Sequence, residues 1–283
     1  MKRFTAVLLA VLMLCSAMAM FASAASENTP VTFYAVNTKP VLDGVVKPGE
    51  YGDKIHSVDY DNSDEFIDDY DPDHLVKADF YGTWTNEGVY LAWVCYSDIH
   101  VATAYDNEMW KYCVIQFCTT PGNPMDLEDG EANELGICVS SENGQPHKWV
   151  YQGPTDVEDW QFNGKRDENA KTTTYEVFLP WSAVTAGVAG NVGTEIGVGY
   201  ALGDQEDFTV EERMVEWQDT ILGGKNYGAS AVVTLAAAKT VAPATSAPAT
   251  STATAPATAD PFTVVCAVMA ISAGAALSLK KRR

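Results

Sequence analysis

The sequence predicts an all-β ectodomain, an antiparallel β-sandwich or jelly roll, set between an N-terminal signal peptide and one C-terminal transmembrane helix. Three observations predict it. Short runs with alternating apolar residues recur between residues 76 and 235, and turn residues separate them. No long amphipathic helical pattern interrupts them. Each end of the chain carries an apolar segment with the charge pattern of a targeting or membrane element.

The strands are read in order. Val76–Trp84 and Val89–Asp98 flank Thr85-Asn86-Glu87-Gly88, a hairpin loop. Lys111–Thr119, Glu134–Ser140, Lys148–Tyr151, Thr173–Leu179, Glu195–Leu202 and Ala229–Leu235 follow. Pro121-Gly122-Asn123-Pro124, Asn143-Gly144 and Gly190-Asn191 punctuate them with turn chemistry. Leu179-Pro180-Trp181-Ser182-Ala183 reads as one helical turn after a strand. Many short strands with such turns fit a sandwich or jelly roll.

The ends divide the chain. Met1-Lys2-Arg3, an apolar run to Phe21 and the exit Ala22-Ser23-Ala24 define a signal peptide over residues 1–24. Residues 25–236 hold the sandwich. Residues 237–260 are rich in Pro, Thr, Ala and Ser and form an extended stalk. Residues 261–279 carry no charge and are long enough to cross a bilayer as an anchor. Lys280-Lys281-Arg282-Arg283 then forms a basic cytoplasmic tail, placing the ectodomain outside at the cell surface.

Charge narrows the partners. Of the 18 Lys and Arg residues, six lie in the two ends, so the exported part carries 12 basic residues against 38 acidic, a formal charge of −26. Nucleic acid is excluded, because phosphate binding needs a basic footprint. Neutral sugars and divalent cations remain. Cys95, Cys113, Cys118 and Cys138 lie in the exported part. Four Cys in an exported chain permit two disulfides, yet each sits in an apolar run where a free thiol packs as a small hydrophobe, and both states stay open. No C-x-x-C occurs, so a structural zinc site has no support.

The order of short signatures resembles carbohydrate-binding module family 9. Asp43-Gly44 stands before Gly49-Glu50-Tyr51, and Trp84 to Leu91 spans a turn into a Val-Tyr-Leu strand that leads to Asp98. Val114-Ile115-Gln116-Phe117, Tyr175 to Ser182 with Pro180-Trp181-Ser182, Ile196-Gly197-Val198-Gly199, Trp217-Gln218-Asp219 and Tyr227-Gly228-Ala229 follow in order. The match covers most of residues 36–236. The resemblance implies a noncatalytic sandwich that holds a polysaccharide or oligosaccharide between two aromatic rings. Trp110 and Trp217 are the implied pair, with Gln116, Asp219 and Glu108 as polar neighbours for the hydroxyls. A cation is expected after the Gln116 strand; residues 134–140 contain no Arg or Lys, and Lys148 is the nearest. The C-terminal end also resembles a Gram-positive surface anchor, with Pro256-Ala257-Thr258-Ala259 where a sorting motif would stand.

Other chemistries are weaker. Residues 59–73 hold eight acids and no base. They could offer oxygens to calcium, the one cofactor the chain suggests, but position six is Asp64 rather than Gly, and a solvated acidic loop is the simpler reading. Four His form no H-E-x-x-H pair, and no G-x-S-x-G elbow surrounds a Ser, so an enzyme has no ordered constellation. Met109, Met214 and His100 could serve as axial haem ligands, without an attachment motif. The alternative function is an adhesion or scaffolding module that binds another protein. Trp84, Trp93 and Trp181 are expected in the core, and Trp110 and Trp217 in a cleft.

Overall fold

The computed structural model describes residues 28–63, 66–67, 76–128, 131–153, 159–184, 189–205, 213–222 and 224–239. The signal segment, the stalk beyond Lys239, the anchor and part of the acidic run lie outside the described residues. Among the described residues no helix is long and apolar enough to cross a membrane.

The strands are β1 (Pro30–Ala35), β2 (His56–Asp59), β3 (Phe66–Ile67), β4 (Lys77–Trp84), β5 (Gly88–Tyr96), β6 (Val114–Pro121), β7 (Asn133–Val139), β8 (Pro146–Gln152), β9 (Gln161–Asp167), β10 (Thr172–Pro180), β11 (Glu195–Asp204), β12 (Arg213–Trp217) and β13 (Ala231–Ala236). A single helical turn, α1 (Trp181–Val184), follows β10 as expected. A 3-10 turn, Met109–Lys111, replaces the first part of the strand expected from Lys111. The hydrogen-bonded path runs β8-β7-β6-β11-β13-β1-β4-β5-β10-β9, with β12 beside β11 and β2 beside β4. The sheet rolls into a barrel-like sandwich, and an ideal Cβ on Gly164 of β9 would stand 2.6 Å from Val139 of β7.

The expectation of a wholly antiparallel sheet needs one correction. β1 pairs in parallel with β13 (Phe33 opposite Leu235) and in parallel with β4 (Tyr34 opposite Thr83). It joins the two halves of the sandwich. Parallel pairing needs a long crossover, here supplied by nearly the whole chain between β1 and β13.

Strict alternation builds the core. Ile115 and Phe117 of β6, Leu135 and Ile137 of β7, Val198 and Tyr200 of β11, and Phe80, Leu91 and Trp93 of the opposite half point inward. Phe80 touches Trp93, Tyr200 and Trp217 with centroids 5.3, 5.1 and 5.5 Å away. Each such ring contributes about 1.5–3 kcal/mol through burial alone. Trp84, Trp93 and Trp181 are buried as expected.

The Asp-Gly and Gly-Glu-Tyr signatures clip a loop onto the outer face of the β4-β5-β10 half. Gly44 N donates to Glu176 Oε2 at 2.5 Å, and Tyr51 Oη donates to Glu176 Oε1 at 2.9 Å. Glu50 accepts from the backbone N of Val41 and of Lys47. Gly44 has φ +79°, and an ideal Cβ there would meet Lys165 Cβ at 2.5 Å, so only glycine fits. These residues serve the fold. The four cysteines are buried free thiols, which resolves the open question against disulfides.

Candidate functional site

The outer face of the β6-β7-β11 half is where the implied polar residue Gln116 lies. Register fixes this. Phe117 pairs with Tyr200 and both enter the core, so Gln116, opposite Ala201 and Gly136, faces outward. Glu134, opposite Cys118 on β7, shares that face. Next to it the pairing of β7 with β8 shifts register between Glu134 and Leu135. The extra residue is Tyr151, whose ring lies over Gly136; an ideal Cβ on Gly136 would stand 2.7 Å from that ring.

A polar cluster is built on this face. The Glu134 carboxylate is fully buried and accepts from the Gln116 amide and from the Tyr227 hydroxyl. Lys225 Nζ lies 2.5 Å from Glu134 Oε1. Three donors from two distant segments thus converge on one carboxylate, which satisfies the charge that burial would otherwise penalise. Burial, the hydrogen bond to Glu134 and its charge push the Tyr227 hydroxyl well above the usual phenol range. Burial first, and the Glu134 charge next, push Tyr151 up as well, against the opposing effect of the backbone at Trp110. The Tyr151 hydroxyl is buried with no hydrogen-bond partner among the described residues.

Trp110 sits on the 3-10 turn that leads into β6. Its carbonyl oxygen is 3.6 Å from where a Cβ on Gly203 of β11 would be, which seats the turn on the same outer face. The residue is half-buried, and Lys111 Nζ lies 5.6 Å from the centre of its ring. Trp149, 37 % exposed, pairs with Gly136 from β8 and faces the same way. Tyr105 stacks on His147 at 3.9 Å near the Trp110 end.

The implied Trp110–Trp217 clamp does not form. Trp217 is 2 % exposed and belongs to the core, packed on His56, Phe80 and Tyr200. It pairs with Tyr200 on β11, so its side chain enters the interior while Trp110 lies on the outside of the same half. Glu108 is exposed and pairs with Lys111 at 3.2 Å beside Trp110. Asp219 is half-buried on the loop after β12, and its Oδ1 has no hydrogen-bond partner among the described residues. Lys148 is not the cation of this face; its Nζ donates to the Trp160 carbonyl at 2.6 Å and lies over the Trp160 ring. Lys225, Glu134 and Tyr151 were not singled out in the sequence, and Tyr227 stood there only as part of a signature, with no site role. Lys225 and Glu134 are 91 residues apart, and no local pattern joins them.

Beside the cluster, Glu216 of β12 is fully buried. One of its oxygens accepts from the backbone N and the hydroxyl of Thr220 and from Ile221 N, and the other accepts from Leu222 N. Burial outweighs these donors and pushes its carboxyl up to about 7. Glu216 is the latch of the loop that leads on to Lys225 and Tyr227. Among the described residues no group of three or more His, Cys, Asp or Glu could hold a metal ion. The acidic run lies partly outside the described residues.

No family model matches the chain. No curated protein matches it either. Solved structures do. A family 9 carbohydrate-binding module from Caldicellulosiruptor kristjanssonii, in complex with glucose, superposes with a TM-score of 0.52 at 12 % identity, covering 75 % of this chain and 100 % of that one. A structure of such a module from the same organism with cellotriose gives 0.53 at 13 %, covering 75 % and 98 %. The chain has the fold of carbohydrate-binding module family 9.

Proposed function

We propose that this protein is a noncatalytic, surface-displayed carbohydrate-binding module that stacks a sugar on Trp110. The observation that carries the reading is the placement of a half-exposed indole beside a satisfied polar cluster on one outer sheet face, in a fold whose solved examples hold glucose and cellotriose. A pyranose presents C–H groups on its faces and hydroxyls at its rim. An aromatic face receives the first and fixed donors and acceptors receive the second. Tyr151 and Trp149 extend the aromatic surface, Glu108 and Asp219 offer polar contacts, and Gln116, buried with its amide donated to Glu134, supports the face from beneath. With Trp217 in the core, one platform does the work assigned to two.

The signal peptide, stalk and anchor complete the proposal: export, an extended spacer and a hold on the membrane at the cell surface. Calcium is the one metal in the proposal, with the carboxylates of residues 59–73 as its oxygen donors. The test is a glycan-array screen of the chain from Ala25 to Thr240, with and without calcium, beside its Trp110→Ala variant. The folded body up to Thr240 is a unit separate from the segment after it. Binding lost in the variant supports the platform. A folded protein that binds no glycan turns the reading to an adhesion module for another protein, with exposed Trp149 at the sheet edge as its contact.

A further inference from the structure

Lys225 stands in a conformation that a lysine rarely takes. Its φ is +68°, in the left-handed region, where the Cβ of any residue but glycine is crowded. Two glycines precede it in sequence, and the chain has placed a lysine rather than a third glycine at this position. Left-handed residues that are not glycine gather at functional sites, where the surroundings hold them in place. Here the surroundings are the Glu134 carboxylate, on the floor of the aromatic face.

The pair is lopsided. Glu134 is 1 % exposed and takes hydrogen bonds from Gln116 and Tyr227 as well as the ion pair. The Lys225 side chain is 48 % exposed. An ammonium carries three donors, and among the described residues Glu134 takes one of them. The others open to solvent on the face that Trp110 and Tyr151 occupy. The ammonium of Lys225 is held by Glu134 on one side and open to solvent on the other.

We infer that Lys225 is a ligand-contacting hydrogen-bond donor of this face, that Glu134 is its positioning residue, and that the pair selects a neutral sugar. The inference rests on the carbohydrate reading above and names the residue that reads the hydroxyls. Glu134 cancels the charge of Lys225, and the exported part is strongly acidic, so the ammonium offers donors without a net positive field. Adjacent hydroxyls of a neutral hexose can accept from it. A uronate or sulfated sugar meets a repelling surface.

The experiment is calorimetric titration of the chain from Ala25 to Thr240 with cellotriose and, in parallel, with a galacturonate trimer. Wild type is compared with Lys225→Met, Lys225→Arg and the neutral pair Glu134→Gln/Lys225→Met, each also melted thermally. The expected result is cellotriose binding that falls at least tenfold in Lys225→Met, stays within about threefold in Lys225→Arg, and is not restored in the double variant although its stability is. The galacturonate trimer binds more weakly than cellotriose to wild type. The double variant keeps the test open if Lys225→Met alone does not fold, because it leaves no unpaired buried charge. Undiminished cellotriose affinity in the double variant overturns the role of Lys225 and leaves the carbohydrate reading standing. A wild type that binds no sugar overturns both.

Discussion

The indole of Trp217 lies 5.0 Å from the imidazole of His56 with their planes 20° apart, and this stack closes one side of the interior. The other contacts of Trp217 are Phe80 and Tyr200, at 5.5 Å each. Trp217 is therefore a core residue. Trp217→Ala should destabilise the protein by about 3–5 kcal/mol, as large-to-small changes at buried aromatic sites do. Urea unfolding at pH 7 checks it. A loss below about 1 kcal/mol would place the ring outside the core.

Tyr200 lies at the centre of the same cluster, and its buried hydroxyl has no hydrogen-bond partner among the described residues. Leaving such a group unpaired costs about 1–3 kcal/mol. Tyr200→Phe removes the group without changing the ring. The variant should melt higher than wild type, and a lower melting temperature would mean that the hydroxyl is satisfied.

Glu216 gives a pH signature. Burial raises its folded-state pKa from the ordinary carboxylate range to about 7, so the native state binds the proton more tightly than the unfolded chain does. Its contribution to stability is fully present below about pH 4.5 and is lost as pH rises through about 7. The full swing is about 3 kcal/mol. Glu216→Gln abolishes it. The stability of wild type minus that of the variant, from urea unfolding at pH 5 to 8, should fall with pH by up to that amount. A flat difference would show that the four donors already hold the carboxyl at its ordinary value.

The thiols offer a chemical check. Burial pushes Cys113 and Cys138 up to about 12 and Cys118 up to about 11, and raises Cys95 well above its usual value. Since the thiolate is the reactive form, iodoacetamide at pH 8 should leave the native chain from Ala25 to Thr240 unlabelled and modify its four thiols after denaturation. Fewer than four labels without reductant would reveal a disulfide.

Much of this fold was legible in the sequence. The alternation in Ile115–Phe117 and in Val198–Tyr200–Leu202 marks one buried face directly, and the turn residues cut the strands nearly where they end. The strand β1 was missed and its parallel seat was not legible, because six residues with one fully buried side chain, Phe33, carry too little alternation to mark a strand or name its neighbours. The face of Trp217 was misread, because the resemblance placed it in a cleft opposite Trp110. Glu216 and Trp217 alternate across the sheet, so a buried, latched acid beside an indole says nothing of the indole's exposure. The Lys225–Glu134 pair was illegible because it joins a loop and a strand far apart in sequence. Gln116 was readable from its place in the order of signatures, yet its partner was not.

The most direct measurement of the central claim is the affinity of the chain from Ala25 to Thr240 for the best glycan on the array, wild type against Trp110→Ala. A stacking platform is worth about 1.5 kcal/mol or more, a factor of ten in affinity. The account predicts at least that loss, with a melting temperature close to that of wild type because Trp110 is half-buried on the 3-10 turn before β6. Equal affinity in the two proteins would contradict it.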